Sequence, residues 1–482
     1  MGRFLAGVFA VVVFPVSVAL AVITPPGQVA DEPAHIIRAA SVLYGQVIGH
    51  RSRIVLPNGL PHTVAGVDVD PALLLTGYVL PPRVSKLSQD RLEEARKRNW
   101  TRTRQFIEIS IAVIYPPIFY VPAALGLGSA RLFGARPFDA VIVGRLLNSA
   151  CFTAMAMAAL LLARRGQALL FCTLALPMTV SLAGSFNQDS LLIAASALAA
   201  ALLSRSIDED PQQNGCSHRP FSYLAAALLL AIVIIVKLPY LPLAAMLLVP
   251  LPRFRQWVTA RRVLLRRFAV VALVALPAAT WVGFAMRYVG ASLPRAPYFP
   301  GPLWPGDPDQ LFTSVDLQAQ LSVLAANPLR LVTLPVSSMM SDPWLLKEAI
   351  GVLGWLDVSL PHDLYTVWAV GLVAACVVDL LNVSASRRWL DSAVLLVGAT
   401  SCVLAIYVAQ YLLWTSVGMT RIEGVQGRYL LPILPMLALA LPPLAVPGGA
   451  MLRRAAILVP VAAAVAGLIT LPMVIVSAYY LR

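Results

Sequence analysis

Apolar positions along the chain come in runs of about 13 to 25 residues, parted by short polar links. A soluble helix would show a one-sided stripe and a barrel strand an alternation, and neither pattern dominates here. The runs cover about residues 4–23, 139–163, 167–183, 188–204, 221–236, 238–250, 268–287, 363–382, 391–412, 428–446 and 455–477. About 20 apolar residues cross a bilayer core, so the pattern predicts an all-α, polytopic transmembrane bundle of about 11 spans forming a single integral domain. The first run follows a lone Arg3 and exceeds a usual signal-peptide core. It predicts a retained helix entering from the cytoplasm.

One further apolar stretch, 108–133, carries Pro116, Pro117 and Pro122, each of which removes a backbone donor that lipid cannot replace. The arginines decide its status. If it crossed, Arg164 with Arg165, the six arginines from Arg253 to Arg267, Arg387 with Arg388, and Arg453 with Arg454 would all face outward, against the positive-inside rule. Kept in the interface, it returns all four clusters to the cytoplasm. The same parity requires two short crossings between Phe221 and Pro250, broken near Lys237–Tyr240, where Pro239 and Pro242 disfavour a continuous helix. This leaves a first outer segment, 24–138, with interfacial helices, and a larger outer loop, 288–362, rich in Pro and Trp. Within the first, Glu93 with Lys97 and Glu94 with Arg98 have the i,i+4 spacing of a surface helix.

Composition agrees: 59% of residues are hydrophobic and 12% charged, with a mean hydropathy of +0.77. A net charge of +14 raises nucleic acid as a partner, but the basic residues lie in loops beside spans, where orientation and anionic headgroups account for them. No nucleic-acid partner is expected. Cys151, Cys172, Cys376 and Cys402 fall in apolar runs and Cys216 in a polar loop, without metal-type spacing.

Charged groups at membrane depth cost about 2.5 to 3.5 kcal/mol each, which makes those near the hydrocarbon functional candidates. On the predicted outer face stand Asp31, Glu32 and His35 after the first span, Asp189 in "SFNQDS", Lys237 in "KLPY", and Arg428 with Tyr429 in "EGVQGRYLLPILP". Arg145 lies inside the second span near its outer end, with Asn148 one turn deeper. Each has a plainer reading as well: a helix boundary for Asp31 and Glu32, an orienting partner for His35, an N-cap region for Asp189 with Asn187 or Gln188, and an interfacial anchor for Arg428 and Tyr429. Together they supply the parts of a group transfer. Asp31 or Glu32 would activate an acceptor hydroxyl as base; Arg428, Lys237 or Arg145 would hold a departing phosphate. Asp189 would position the acceptor or hold a divalent cation. There is no Walker loop and no dinucleotide fingerprint, which favours a lipid-borne donor.

The segments "DEPAHIIRAASVLYGQ" (31–46), "YPPIFYVPAALG" (115–126), "GRLLNS" (144–149), "LPMTVSLAGSFNQDSL" (176–191), "IGVLGWLDVSLP" (350–361) and "QGRYLLPILP" (426–435) resemble, in order and spacing, the bacterial membrane-protein family known as domain of unknown function 2142. That family in turn is similar to the GT-C class of glycosyltransferases. The resemblance implies a GT-C fold, a catalytic carboxylate in the first outer loop at Asp31 or Glu32, an assisting acid at Asp189, and a juxtamembrane helix at "PPIFY". It also implies an enzyme of the bacterial inner membrane that takes a polyprenyl-phosphate-linked sugar and passes it, outside the cytoplasm, to a glycan, lipid or protein acceptor. Two other functions use the same residues: a transporter or flippase of a lipid-linked saccharide, which would move lipid without forming a glycosidic bond, and an assembly partner indifferent to loss of the outer acids. Transporters commonly show related halves, and none is evident here.

Overall fold

The computed structural model describes residues 1–55, 59, 61–80, 86–208, 219–252, 257–381, 389–444, 446 and 449–481. Cys216, Arg253, Arg255, Arg387 and Arg388 lie outside the described residues. The chain is mostly helical. Among the described residues, six helices are long and apolar enough to cross a membrane: Gly2–Ile23, Pro137–Leu162, Val258–Tyr288, His362–Leu380, Trp389–Leu413 and Gly449–Tyr479.

The remaining apolar runs are shorter or interrupted, and prolines explain most of the interruptions. Gln167–Ala175 and Pro177–Ala183 part at Pro177, which has no N–H to continue the ladder. Arg219–Val236 stops at Lys237, whose extended backbone (φ −141°, ψ 99°) precedes a 3-10 segment, Leu238–Leu248, containing Pro242. That break falls where the sequence predicts it. Gly427–Ile433 is also 3-10, with Pro432 inside, and leads into Leu434–Ala440. Asp189–Asp208 runs through the middle of the molecule. Its Ala194, Ala195, Ala197 and Ala199–Ala201 are buried, small enough to let neighbouring backbones approach.

The 108–133 stretch contains the helix Ile118–Leu132, roughly 22 Å long at 1.5 Å per residue and short of a roughly 30 Å hydrocarbon layer. It lies against Pro137–Leu162 at Gly126, where a β-carbon would come within 2.8 Å of the Gly144 Cα. The two backbones touch.

The outer segment is not all helix. Glu32–Leu43 and Gln89–Lys97 are helical as expected, and the pairs Lys97–Glu93 (2.9 Å) and Arg98–Glu94 (3.0 Å) form. Two strands between those helices, β1 (His50–Val55) and β2 (Pro61–Val69), and a third beyond the second helix, β3 (Gln105–Glu108), form an antiparallel sheet in the order β1-β2-β3. Its register pairs Arg53 with Thr63 and Val67 with Ile107. This corrects the all-α expectation. Val67, Val69 and Ile107 join Ile36, Tyr120, Leu127 and Phe186 in a second core outside the main one, which fills the space between the long helices. Within residues 288–362, the apolar helices Leu317–Ala326 and Arg330–Met340 meet at 103°, as in a broken span or a re-entrant loop, followed by Leu345–Gly351 and a small hairpin of Val352–Leu353 and Val358–Ser359.

The start of the first helix packs on the helix Pro137–Leu162, and Tyr480 packs at the first helix's other end. A β-carbon on Gly2 would sit 2.5 Å from the Leu160 carbonyl. The Tyr480 hydroxyl donates to the Ile23 carbonyl at 2.8 Å.

Candidate functional site

Two ionic centres stand side by side where the first helix gives way to Glu32–Leu43. The link between the helices turns sharply, with Gly27 (φ 79°) and Asp31 (φ 64°) both left-handed. A β-carbon on Gly27 would fall 1.7 Å from the Gly77 carbonyl, so only glycine fits there. For Asp31 the left-handed backbone is uncommon, and such conformations cluster at functional sites.

The inner centre joins Glu32 to Arg145, 113 residues away and, like Glu32, fully buried. Arg145 uses every guanidinium N–H. Nε reaches Glu32 Oε1 (2.8 Å) and Nη2 reaches Oε2 (2.6 Å). The others go to the carbonyls of Ala21 (3.1 Å), Thr24 (2.6 Å) and Pro25 (3.2 Å) at and just beyond the end of the first helix, the last of which also accepts from the Gln28 N–H (3.1 Å). Glu32 also accepts from the backbone N–H of Gly27 (2.9 Å) and Phe186 (3.1 Å). Every lone-pair position of a carboxylate is thereby used.

The outer centre collects four charged residues from four distant segments. Asp31 occupies the N-cap position yet makes no side-chain cap bond; its carboxylate instead meets Arg428 Nη2. Arg428 Nε stands 3.6 Å from Asp189 Oδ2, and Lys237 Nζ lies 2.5 Å from Asp189 Oδ1. The backbone sets these positions. Asn187 Oδ1 accepts from the Asp189 N–H (2.9 Å), capping the helix that begins there, while its amide donates to Ala30 O (3.2 Å), as does Arg428 Nη1 (3.1 Å). Gly427 brings Arg428 in: its N–H donates to Glu348 Oε2 at 2.9 Å, and a β-carbon there would meet the Ala349 nitrogen at 2.2 Å. Asp31 keeps 28% of its side chain exposed, Asp189 6% and Arg428 2%. Asp31 is therefore the open member.

Aromatic rings floor this centre. His35, 5% exposed, holds the Tyr120 hydroxyl at 2.6 Å through Nδ1 and stacks on Tyr115 and Tyr120. Burial pushes its pKa down to about 4, against the pull of Asp31 and Asp189, so the ring is neutral. The Lys237 ammonium lies 4.9 Å from the Tyr429 ring centre and 5.8 Å from that of Tyr115.

Of the residues singled out by sequence, Asp31, His35, Asp189, Lys237, Arg428 and Tyr429 come together. Glu32 and Arg145 form the adjoining buried pair. Tyr115, Tyr120 and Glu348 belong to the site without having been singled out; the two tyrosines lay inside the proline-rich segment, whose repeated aromatics were the available signal. Neither polar atom of the buried Gln188 side chain has a partner among the described residues. A divalent cation fits poorly: both Asp189 oxygens face cations, and among the described residues no group of three or more His, Cys, Asp or Glu side chains could hold a metal.

Long apolar helices joined at one end by an ionic centre define a polytopic membrane protein. The sequence matches the family described as predicted membrane protein (DUF2142) over residues 14–437, and the chain belongs to that family. No match is found among curated proteins or solved structures.

Proposed function

We propose that the protein is a GT-C-like glycosyltransferase of the bacterial inner membrane, moving a sugar from a polyprenyl-phosphate donor to a cell-surface acceptor on the extracytoplasmic side. One observation carries the reading: Asp31, Asp189, Lys237 and Arg428 converge from far-apart segments on one centre, with Asp31 the exposed carboxylate.

That convergence also supports the eleven-span arrangement. Were 108–133 a crossing, Asp31 and Asp189 would lie on opposite sides of the bilayer, yet both flank Arg428. Gly2 beside Leu160 and Tyr480 beside Ile23 lie at opposite ends of the first helix, which fits an odd number of crossings. The reading reaches eleven if the shorter or broken apolar pieces 167–183, 189–208, 219–236, 238–248 and 427–440 cross together with the six long helices.

The chemistry follows from charge. Two carboxylates balance two cations, so the resting centre is neutral and Asp31 is masked by Arg428. A donor phosphate competes for the same guanidinium, which suits planar oxyanions. Its arrival releases Asp31, the partner already open to solvent. Asp31 then takes the acceptor hydroxyl proton as the acceptor oxygen bonds the anomeric carbon and the bond from that carbon to the phosphate oxygen breaks. Arg428 and Lys237 hold the charge left on the polyprenyl phosphate. Attack opposite the leaving group inverts the anomeric centre. Glu32 and Arg145, saturated by one another and by backbone, frame the site instead of reacting.

The test is transfer by the purified full-length protein in proteoliposomes with a labelled polyprenyl-phosphate sugar. Asp31→Asn abolishes transfer with insertion intact; unchanged turnover refutes the reading. Movement of labelled lipid between leaflets with no new glycosidic bond assigns the centre to a flippase instead.

A further inference from the structure

The helices Leu317–Ala326 and Arg330–Met340, bent by 103°, are together long and apolar enough for a broken span. Their hydrogen bonds decide otherwise. Gln320, on the first helix, donates through Nε2 to the carbonyls of Tyr411 (3.0 Å) and Thr415 (2.9 Å) and accepts from the Gly418 N–H (3.3 Å). Ser338, near the end of the second, accepts at Oγ from the Ile422 N–H (2.9 Å). Both helices are thus tied to one connection, 414–426, which follows the helix Trp389–Leu413 and runs on to Arg428. A crossing would carry its two ends to opposite faces. This pair returns to the face it left, the side of the outer ionic centre.

Depth follows from the inner face. Val323, Leu324 and Leu334 pack on Tyr407 and Tyr411, roughly 3 to 9 Å short of the end of their helix at 1.5 Å per residue. That helix has 25 residues; its length of roughly 37 Å exceeds a roughly 30 Å hydrocarbon core by about one turn. Tyr407 and Tyr411 therefore stand at the boundary of the core, with the pair beside them. Trp344 marks the same boundary. The Lys347 ammonium lies 4.7 Å from its ring centre and 5.7 Å from that of Tyr365, in the first turn of the span His362–Leu380.

The face turned away from the protein is apolar as well. Leu329, Val332, Val336 and Met340, three or four residues apart, are exposed, opposite the buried Leu334 and Ser338. Arg330, the one charged residue between Leu317 and Met340, turns back to donate to the Val323 carbonyl (2.8 Å). A helix apolar on both sides is covered on both, and at this depth the cover is lipid.

We propose that the bent pair lies in the outer leaflet without crossing it, its stripe of Leu329, Val332, Val336 and Met340 resting on the acyl chains of bilayer phospholipid. The inference stands apart from the glycosyltransferase reading. Because the connection held by the pair ends at Arg428, this seat also sets the height of the outer ionic centre over the acyl chains.

The test uses the full-length protein in nanodiscs of phosphatidylcholine doped with the same lipid carrying a diazirine close to the carboxyl end of one chain. Irradiation, digestion and mass spectrometry map the adducts. Residues 329–340 are labelled within about threefold of residues 370–377, as suits a helix sunk about 5 to 10 Å; the reference stretch lies in the span His362–Leu380, with Val370, Val373 and Val377 exposed. A diazirine at the chain terminus labels them less than the shallow one does. Hydroxyl radicals generated in the water leave Met339 and Met340 unoxidised. Val332→Asp combined with Val336→Asp lowers the 329–340 adducts about 3- to 10-fold, as expected for two charges near the interface, and leaves those on 370–377 unchanged, which reports that the variant is folded. No adducts with both methionines oxidised marks a face in water. No adducts with both shielded marks a face covered by protein, a second copy included. Stronger labelling from the chain terminus marks a crossing. Each of these overturns the proposal, as does a double variant labelled like the parent at both stretches.

Discussion

Replacing Arg145 by Met tests the inner ionic centre directly. The substitution conserves much of the side-chain volume but strips Glu32 of its counter-charge and the Ala21, Thr24 and Pro25 carbonyls of the guanidinium donors. Both partners are fully buried, and neither has water to fall back on. Removing one member of a buried pair costs about 3 to 5 kcal/mol, most of it the penalty of the stranded charge. That corresponds to roughly two to four powers of ten in the folding equilibrium. The double variant Glu32→Leu with Arg145→Met removes both charges and leaves only backbone groups unpaired, so it should lose less than the two single losses added, with a coupling of about 2 kcal/mol or more. The measurement is equilibrium unfolding of the purified protein in mixed micelles, for all four members of the cycle. An Arg145→Met protein within about 1 kcal/mol of the parent, or strictly additive losses, would refute the reasoning, because the pair would then be screened by something the geometry does not show.

Gly427→Ala should destabilise by about 1 to 3 kcal/mol, since the new methyl meets backbone at Ala349 and not a yielding side chain; thermal unfolding reports it, and a neutral result would mean that the 3-10 turn can shift. The His35 pKa sits at about 4 in the folded protein, below its ordinary 6.5. Between those values the unfolded chain binds the proton and the folded chain does not, so stability from this group is present above pH 6.5 and is lost as pH falls towards 4. His35→Phe should flatten that part of the stability profile, and an unaltered slope would assign it to other groups. Reporters active on one side of the membrane only, fused to the two ends, should give opposite responses; the same response at both ends contradicts an odd number of crossings.

Sequence revealed what depends on local composition. The break at Lys237 follows from prolines, the Glu93–Lys97 pair from helical spacing, and the position of the polar residues from where apolar runs stop. Their convergence followed from parity, because loops on one side of a membrane share a confined region. What stayed hidden depends on contacts between distant segments. Nothing local distinguishes Glu32 from Asp31, yet a left-handed backbone at Asp31 sends one carboxylate to Arg145 and the other to Arg428. The sheet escaped notice because β3 joins β2 across residues 70–104, and its strands in a polar, basic segment lack the long alternation that marks an isolated hairpin.

The bond from Tyr480 to the exit of the first helix spans 457 residues of chain. At bacterial or eukaryotic translation speeds of about 5 to 20 residues per second, the helix Gly2–Ile23 waits roughly 20 to 90 s for Tyr480. Its partner through Glu32 arrives far sooner. Biogenesis is thus ordered by the ribosome: an early clasp secures the Glu32–Arg145 pair, and the flank that Tyr480 covers stays open to lipid or to an insertion chaperone until that residue emerges.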